Sequence, residues 1–406
     1  MRADNLTSLR RVLGLLLLAI TLVACQGVPS FLEQPPTLVP TPTATHLVMR
    51  TATATALPTV TTTPAASVTP TITPTPTPQL LVEAGAPLPG NLPPITLESA
   101  GQVSGLAEWY EQSVTDLAWV PDSSLLAVAS TEHVNLYQLE TRSILRTLYP
   151  EKSGIVDISF SPNGDWLLVG CRQGDENSGY VSSLEMWRGP NWKPLGLIYG
   201  SDRALTNMTF SPDSKWFSAA YASRYYSENF VDIWNTLTWS ITNTLQTGTA
   251  LGVAFSTDGS LLAVTPDRYA VRVWNFDKRA WAYRLPTSFT GAVTSMVFSP
   301  DGVTLATGHY DGMVRLWNIA KGTLLLEFDS GSVVQSLAFS PDARMLASGG
   351  SFENSQVQLW SSGSGKLLRK LENQSGGISN LTFSPDGKYL VSASYDGTLR
   401  LWGIRP

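Results

Sequence analysis

The chain has 406 residues, of which 43% are hydrophobic and only 15% are charged. Its 27 basic residues stand against 32 acidic ones. This balance argues against nucleic acid or an anionic membrane surface as a partner, because both require clustered Lys and Arg. Two cysteines and three histidines are too few for a disulfide framework or a histidine-built metal centre, so we expect no metal and no cofactor.

The N-terminus has the pattern of an export signal. Three arginines precede the apolar run VLGLLLLAITLV, from Val12 to Val23, which is too short to span a bilayer but typical of a signal-peptide core. The run ends in the motif LVAC at Cys25, which resembles the lipobox of bacterial lipoproteins. The resemblance implies a signal peptide at residues 1–24 and a lipid on Cys25, and so a protein anchored to a membrane of the cell envelope on its extracytoplasmic side. The alternative is an ordinary secretory signal with an incidental cysteine.

Residues 35–79 are dominated by threonine and proline. Ten of these 45 residues are proline and 16 are threonine, and Arg50 is the single formally charged residue. Each proline removes a backbone donor and the stretch has no hydrophobic periodicity, so it favours neither helix nor central strand. We therefore predict that residues 25–100 comprise the anchor cysteine and a disordered Thr/Pro-rich linker.

Beyond residue 100 the chain repeats itself. Seven copies share a short alternating segment that ends in an aromatic residue, and in most copies a Ser-Pro-Asp turn follows. The seven marker aromatics are Trp119, Phe160, Phe210, Phe255, Phe298, Phe339 and Phe383. Their spacing of 41 to 50 residues predicts seven units of one kind.

The copy that begins at Val293 illustrates the structure expected of each unit. Its strands VTSMVF, VTLATG and MVRLWN are separated by SPDG and YDG turns, and a fourth strand, TLLLEF, completes an antiparallel meander. A sheet of this size cannot bury both faces alone, so the copies must stack. The last copy stops after its third strand, and we expect the segment from Val103 to Gln112 to supply the fourth and close the ring.

These units resemble the WD-repeat β-propeller family, in which a tryptophan closes the third strand and FSPDG and YDG turns recur. The resemblance covers residues 101–406 and implies an all-β fold, a seven-bladed β-propeller. The copies depart from the family's pattern because they lack the Gly-His pair that completes a hydrogen-bond network in each blade, and Tyr137 replaces the tryptophan of the first copy. We therefore expect blades held together by apolar packing rather than by buried polar networks.

The sequence does not indicate catalysis. The aspartates that recur in the Ser-Pro-Asp turns favour local hydrogen bonds over a calcium ring. His309 lies at the opposite end of a strand from Ser299, which excludes a catalytic triad, and we interpret it as a solvent-facing loop residue. Cys171 is expected to be a buried thiol rather than a nucleophile.

The loops between strands two and three of all copies are expected to emerge on one face, which in WD-repeat proteins commonly binds partners. Copies two and three carry additional residues in these loops. Tyrosine and arginine are the residue types most enriched in binding hot spots. The candidate partner-binding residues on this face are Arg172, Arg224, Tyr225, Tyr226, Arg268, Tyr269, Tyr310, Phe352 and Tyr395.

We expect a membrane-anchored, extracytoplasmic WD-repeat propeller that is not an enzyme and acts as a scaffold or binding module for a protein or peptide. Two alternatives could use the same fold. A propeller-type hydrolase would require an acid–base set around the central axis. A carbohydrate or cell-wall binder would stack sugars on the same tyrosines.

Overall fold

The computed structural model describes residue 88 and residues 92–122, 124–175, 179–222, 229–247, 252–267, 270–286, 291–372 and 376–405. Within these ranges 28 strands form seven four-stranded antiparallel sheets, which confirms the predicted all-β, seven-bladed fold. Among the same residues no helix has the length and apolar character needed to cross a membrane.

Each sheet is one blade, and its strands follow one another in chain order from the innermost to the outermost. Blade 1 contains β2 (Val114–Trp119), β3 (Leu125–Ser130), β4 (Val134–Gln138) and β5 (Ser143–Leu148). Blade 2 contains β6 (Ile155–Phe160), β7 (Trp166–Asp175), β8 (Gly179–Arg188) and β9 (Lys193–Ser201). Blade 3 contains β10 (Ala204–Phe210), β11 (Trp216–Ala222), β12 (Asn229–Asn235) and β13 (Ser240–Thr247). Blade 4 contains β14 (Val253–Phe255), β15 (Leu261–Asp267), β16 (Ala270–Asn275) and β17 (Ala280–Pro286).

The remaining blades keep the same order, with one exception at the ring closure. Blade 5 contains β18 (Val293–Phe298), β19 (Thr304–His309), β20 (Met313–Asn318) and β21 (Thr323–Asp329). Blade 6 contains β22 (Val334–Phe339), β23 (Met345–Gly350), β24 (Val357–Ser361) and β25 (Leu367–Leu371). Blade 7 contains β26 (Ile378–Phe383), β27 (Leu390–Ser394) and β28 (Thr398–Ile404), and its outermost strand is β1 (Val103–Tyr110).

The predicted ring closure is confirmed by this exchange of strands between the two ends of the domain. β1 pairs with β28 in antiparallel register, from Val103 opposite Ile404 to Tyr110 opposite Thr398. The innermost strands contact one another in order around the ring, and β26 of the last blade contacts β2 of the first. The seventh sheet therefore ties the first strand of the domain to the last.

Apolar clusters fill the spaces between neighbouring blades. The cluster between blades 4 and 5 contains Val271, Leu305 and Trp317, and that between blades 1 and 2 contains Leu136, Leu167 and Cys171. Cys171 is buried and unpaired, as predicted, and burial raises the pKa of its thiol to about 12. Such a thiol is almost entirely protonated at neutral pH, which argues against a role as a nucleophile.

The meander connectivity separates the connections of the blades onto two faces. The upper face is formed by the connections between strands two and three of each blade and those between one blade and the next. The lower face is formed by the turns between strands one and two and between strands three and four. Strand direction alternates within each sheet, so each kind of connection returns to the same end of the blade.

The segment just before β1 corrects the predicted extent of the linker. Leu88 and Leu92 are buried in the apolar cluster between blades 7 and 1, and Ile95 is buried in the cluster between blades 6 and 7. The Ile95 N–H donates to the Gly387 carbonyl at 2.8 Å, in a lower-face turn of blade 7. Residues 92–100, assigned to the linker from their sequence, therefore belong to the packing of the propeller, because their apolar side chains find a surface that only the assembled ring provides.

Candidate functional site

A central cavity of about 300 Å³ lies on the axis of the propeller and is lined by residues of all seven innermost strands. The position three residues before each marker aromatic lies in this lining. Its occupants are Asp116, Asp157, Asn207, Gly252, Ser295, Ser336 and Asn380, so six of the seven blades place a polar side chain there. We call this set the channel ring.

At five of the seven blade boundaries the channel ring joins one blade to the next by a hydrogen bond to the main chain. Asp116 Oδ2 accepts from the Ile158 N–H at 2.9 Å, and Asp157 Oδ2 accepts from the Met208 N–H at 2.7 Å. Asn207, Ser295 and Ser336 accept in the same way from Val253, Leu337 and Leu381. These bonds add to the mainly apolar packing that the sequence leads us to expect between blades, and they satisfy polar groups across the blade boundary.

Two carboxyl groups of the channel ring meet each other. Burial raises the pKa of Asp116, and burial together with the neighbouring Asp116 carboxylate raises that of Asp157 well above its ordinary value. Asp116 Oδ1 also accepts from Asn380 Nδ2 at 2.9 Å, and Asp157 Oδ2 accepts from Asn207 Nδ2 at 2.7 Å. Because main-chain and amide donors occupy these oxygens, the arrangement favours a structural link between blades over acid–base chemistry.

A second polar position distinguishes blades 5–7 from the others. Nine residues after the marker aromatic these blades have Thr307, Ser348 and Ser392, whose hydroxyls accept from the indole N–H of the third-strand tryptophan at 2.8–2.9 Å. Blades 1–4 have valine or alanine there: Val128, Val169, Ala219 and Val264. Among the described residues, the indole N–H groups of Trp187, Trp234 and Trp274 have no hydrogen-bond partner.

The prediction that His309 faces solvent is wrong. Its ring is fully buried in blade 5, where Nε2 lies 2.8 Å from Thr307 Oγ1 and Nδ1 lies 3.1 Å from the Gly291 carbonyl oxygen. Burial lowers the pKa of His309 to about 4. His309, Thr307 and Trp317 thus form a buried chain of hydrogen bonds, with the histidine supplied by strand two.

Blade 1 has a different polar cluster, centred on Glu111 in the connection that leads from β1 into this blade. Glu111 Oε2 accepts from Tyr137 Oη at 2.7 Å and from Asn135 Nδ2 at 3.0 Å, and Oε1 lies 3.2 Å from His133 Nε2. Tyr137, which replaces the tryptophan, therefore bonds directly to the incoming connection. The cluster couples blade 1 to the strand that closes the ring.

The upper face carries the exposed aromatic side chains. All five aromatic residues that are strongly exposed within the described ranges lie in upper-face connections or at their edges, with exposed fractions of 53% to 70%. They are Tyr110, Tyr149, Tyr310, Phe352 and Tyr395. The last three were candidates from their sequence. Tyr110 ends the fourth strand of blade 7 and Tyr149 directly follows that of blade 1, and both were missed because the loops between strands two and three were the only ones considered.

Two of these rings form a stacked pair across the boundary of blades 6 and 7. The rings of Phe352 and Tyr395 have centroids 5.2 Å apart and planes inclined by 23°. The connection between the two blades runs beside them, and the Tyr395 N–H donates to the Gly377 carbonyl at 2.9 Å. A side chain at Gly377 would approach the Phe352 main-chain nitrogen to 2.8 Å, so the glycine permits this close packing.

The other candidate residues have different positions. Arg172 is half-buried at the upper end of β7, where its Nη1 donates to the Leu205 carbonyl of blade 3 at 3.1 Å, so it also braces two blades. The additional residues of copy two extend β7 and β8 as a hairpin, paired as far as Asp175 opposite Gly179. The candidates Arg224, Tyr225, Tyr226, Arg268 and Tyr269, and the predicted lipidation site Cys25, lie outside the described residues.

The aspartates of the lower-face turns make the predicted local hydrogen bonds. Asp213 Oδ1 accepts from Ser211 Oγ at 2.7 Å and from the Lys215 N–H at 3.0 Å, and Asp258 and Asp386 make equivalent bonds. Within the described ranges no group of three or more acidic, histidine or cysteine side chains is arranged to hold a metal ion. The turn aspartates therefore have a structural explanation.

The family model for the WD domain, G-beta repeat, matches residues 142–175, 283–318, 322–361 and 365–403. The chain is 26% identical over 276 residues to periodic tryptophan protein 2 of Arabidopsis thaliana, covering 66% of this chain and 29% of that protein. It is 27% identical to cell division cycle 20.1, cofactor of APC complex, of the same plant, covering 70% and 62%. It is 26% identical to nuclear distribution protein PAC1 of Arthroderma benhamiae, covering 73% and 60%.

The chain thus spans less than two thirds of the length of each of these relatives. Three of the four matched segments are consecutive and cover blades 5–7, where the tryptophan–hydroxyl bonds occur. The repeat matches and the ring of seven sheets lead to one conclusion. The chain is an all-β, seven-bladed propeller with WD40 repeats.

Proposed function

We propose that the protein is a non-catalytic interaction module that binds a protein or peptide on its upper face. The observation that carries the proposal is the segregation of the five exposed aromatic residues to this face. Exposed aromatic clusters usually mark interaction surfaces, and tyrosine is enriched where binding energy is concentrated. The lower face has hydrogen-bonded turns and, at blades 6, 7 and 1, the packed segment that contains Leu92 and Ile95.

Similarity to other proteins supports an interaction role. One relative is named as a cofactor of a complex and another as a nuclear distribution protein, and both names are those of proteins that act with or on other components. The channel supplies no rival observation in favour of hydrolysis, because the Asp116–Asp157 pair is occupied by main-chain and amide donors.

The proposal includes the membrane anchor at Cys25 that the N-terminal sequence predicts. In a bacterial host, Cys25→Ser is expected to release the protein from the membrane fraction and to abolish incorporation of labelled palmitate. Cys171→Ala, which changes the other cysteine, is the control and is expected to leave both unchanged. Membrane association that survives Cys25→Ser would contradict the lipid anchor.

The binding role is tested by capture of envelope proteins with the full chain. The variant carrying Tyr310→Ala, Phe352→Ala and Tyr395→Ala is expected to lose a partner that the wild type retains. The control carries Leu237→Ala and Val303→Ala, two exposed apolar residues of lower-face turns. Retention of every captured protein by the upper-face variant would contradict the proposal. Aromatic-dependent retention on peptidoglycan alone would favour the carbohydrate-binding alternative.

A further inference from the structure

The upper face has an uneven distribution of charge. The connections of blades 5–7, together with the connection from blade 7 to blade 1, contain Asp311, Glu353, Glu372, Asp396 and Glu111 but neither lysine nor arginine in their sequence. The corresponding connections of blades 2–4 contain as many arginines as acidic residues: Arg203, Arg224 and Arg268 against Glu176, Asp202 and Glu228. One half of the upper face therefore combines acidic residues with Tyr110, Tyr310, Phe352 and Tyr395.

Some of these carboxylates are engaged in structural roles. Asp311 lies 3.2 Å from Arg315 Nη2 and is mostly buried, and Asp396 Oδ1 accepts from the Thr398 N–H at 2.9 Å. Glu111 is buried in the cluster of blade 1. By contrast, Glu353 and Glu372 are exposed and therefore accessible to a ligand.

The two exposed carboxylates belong to the chain segments that form or contact the stacked aromatic pair. Glu353 follows Phe352 in the chain, and Glu372 begins the connection whose Gly377 lies against Phe352 and accepts from Tyr395. In blades 5 and 7 the tyrosine and the aspartate belong to three-residue YDG turns, which tolerate a tyrosine before Asp-Gly, so the turn itself accounts for both residues. The SFENSQ loop of blade 6 is not such a turn: it forms a short 3-10 helix from Phe352 to Asn354, in which Phe352 and Glu353 are both exposed.

We infer that this part of the upper face binds a lysine- or arginine-rich segment of a protein partner. A cationic head group placed over the Phe352–Tyr395 pair would gain a cation–π contact and the attraction of Glu353 and Glu372 together. The rings supply apolar contact for the aliphatic stem of the same side chain. The inference rests on the proposed function and specifies the chemistry of the partner.

The charges distinguish this partner from the other candidates. A phosphorylated or acidic ligand would be repelled by Glu353 and Glu372. A neutral sugar would use the rings but would gain little from the carboxylates. Removal of the two charges without loss of the rings therefore separates a basic peptide from a carbohydrate.

The test measures fluorescence anisotropy of a labelled peptide of alternating glycine and lysine, GKGKGKGKG, titrated with the full chain. The peptide GEGEGEGEG serves as the charge-reversed probe. The charge variant is Glu353→Gln with Glu372→Gln, and the ring variant is Phe352→Ala with Tyr395→Ala. The matched control is Glu140→Gln with Asp277→Asn, which removes two exposed carboxylates from lower-face turns.

We expect the lysine probe to bind, with roughly fivefold weaker affinity in the charge variant and a shallower dependence on salt. The ring variant is expected to weaken binding as well, while the control stays at the wild-type value. Equal binding of both probes, or unchanged affinity in the charge variant, would overturn the inference. If the ring variant still loses a captured partner while the charge variant does not, only the partner chemistry is wrong and the proposed function stands.

Discussion

In blades 5–7 the third-strand tryptophan donates its indole N–H to a hydroxyl of strand two, whereas in blades 2–4 the tryptophan faces valine or alanine at that position. Both groups form closed four-stranded sheets with continuous apolar contacts to their neighbours. Packing of large side chains between sheets is therefore sufficient to build a blade. The hydroxyl adds a satisfied polar link, which fixes the rotamer of the tryptophan in the three blades that the family model matches consecutively.

The same two groups differ on the surface. The connections between strands two and three of blades 5–7 have an aromatic residue followed by an acidic one, while the upper-face connections of blades 2–4 contain arginines and, in blades 2 and 3, additional residues between strands two and three. The following experiments test the structural side of this difference.

The largest effect is expected for Thr307→Val in blade 5. The substitution keeps the shape of the side chain but leaves the Trp317 indole N–H and His309 Nε2 unpaired in a buried site. We expect the free energy of unfolding to fall by about 3 kcal/mol, measured by urea denaturation. A change of less than about 1 kcal/mol would mean that the Thr307 hydroxyl stabilises the folded protein no more than the valine that blades 1, 2 and 4 have at this position.

A smaller effect is expected from the titration of His309. Its pKa is lowered to about 4 in the folded protein, from an ordinary value of 6.5, so the unfolded chain binds more protons between these values. Stability due to this residue is therefore lost as the pH falls from 7 to 5, by about 2 kcal/mol. Urea denaturation of the wild type and of His309→Asn at both pH values isolates the term, because the variant lacks it. Parallel pH dependence of the two proteins would contradict the buried neutral histidine.

At the channel-ring position blade 2 has Asp157 and blade 7 has Asn380, so a substitution in blade 2 can compare the two side chains. Asp157→Asn keeps an acceptor for the Met208 N–H and provides a donor to Asp116, as Asn380 does in blade 7. The raised pKa of Asp157 means that the folded state holds its proton more tightly than the unfolded chain, so stability is lost as the pH rises above about 4. The variant should be more stable than the wild type at pH 7, by about 1 kcal/mol, with the gain absent below pH 4. Destabilisation at pH 7 would show that the carboxylate is required.

The smallest effect is expected when the hydroxyl of blades 5–7 is introduced into blade 2. Val169 occupies the position that Thr307 has in blade 5, and Val169→Thr would offer an acceptor to the Trp187 indole N–H. We expect stability to change by less than about 1 kcal/mol, in the stabilising direction, because the new bond offsets the burial of a hydroxyl. Ala263→Ser in blade 4, at a buried position without a facing indole, is the control and is expected to destabilise. A clear loss of stability in Val169→Thr would show that blade 2 excludes the bond by its geometry.

Several elements of the propeller could be predicted from particular residues. The seven marker aromatics and the SPDG and YDG turns located the strands, and the match of Val103–Gln112 to an outer strand located the closure. The burial of His309 could not be predicted in this way, because a histidine beside a Tyr-Asp-Gly turn resembles a loop residue. His309 is buried because the fold brings its ring against Thr307 and against the carbonyl of Gly291 in the preceding connection.

The candidate site could be predicted only in part, because position in the sequence identifies some of the residues of the upper face and not others. Tyr310, Phe352 and Tyr395 follow from their place between strands two and three, and they are exposed. Tyr110 and Tyr149 lie at the ends of fourth strands, and only the folded ring brings the connections that follow these strands to the same face. Arg172 was selected by residue type, yet its guanidinium contacts the Leu205 carbonyl of the neighbouring blade.

The sequence by itself determined the repeat, the number of blades, the order of strands and the closure, because these depend on local periodicity and turn chemistry that each copy carries within about 40 residues. Only the tertiary structure decided the contacts between copies. The channel ring is visible as a polar residue three positions before each marker aromatic except in blade 4, but in five blades the partner of this residue is the main chain of the next blade. A hydrogen bond of this kind depends on the rotation from one blade to the next, which the closed ring sets and no single repeat specifies.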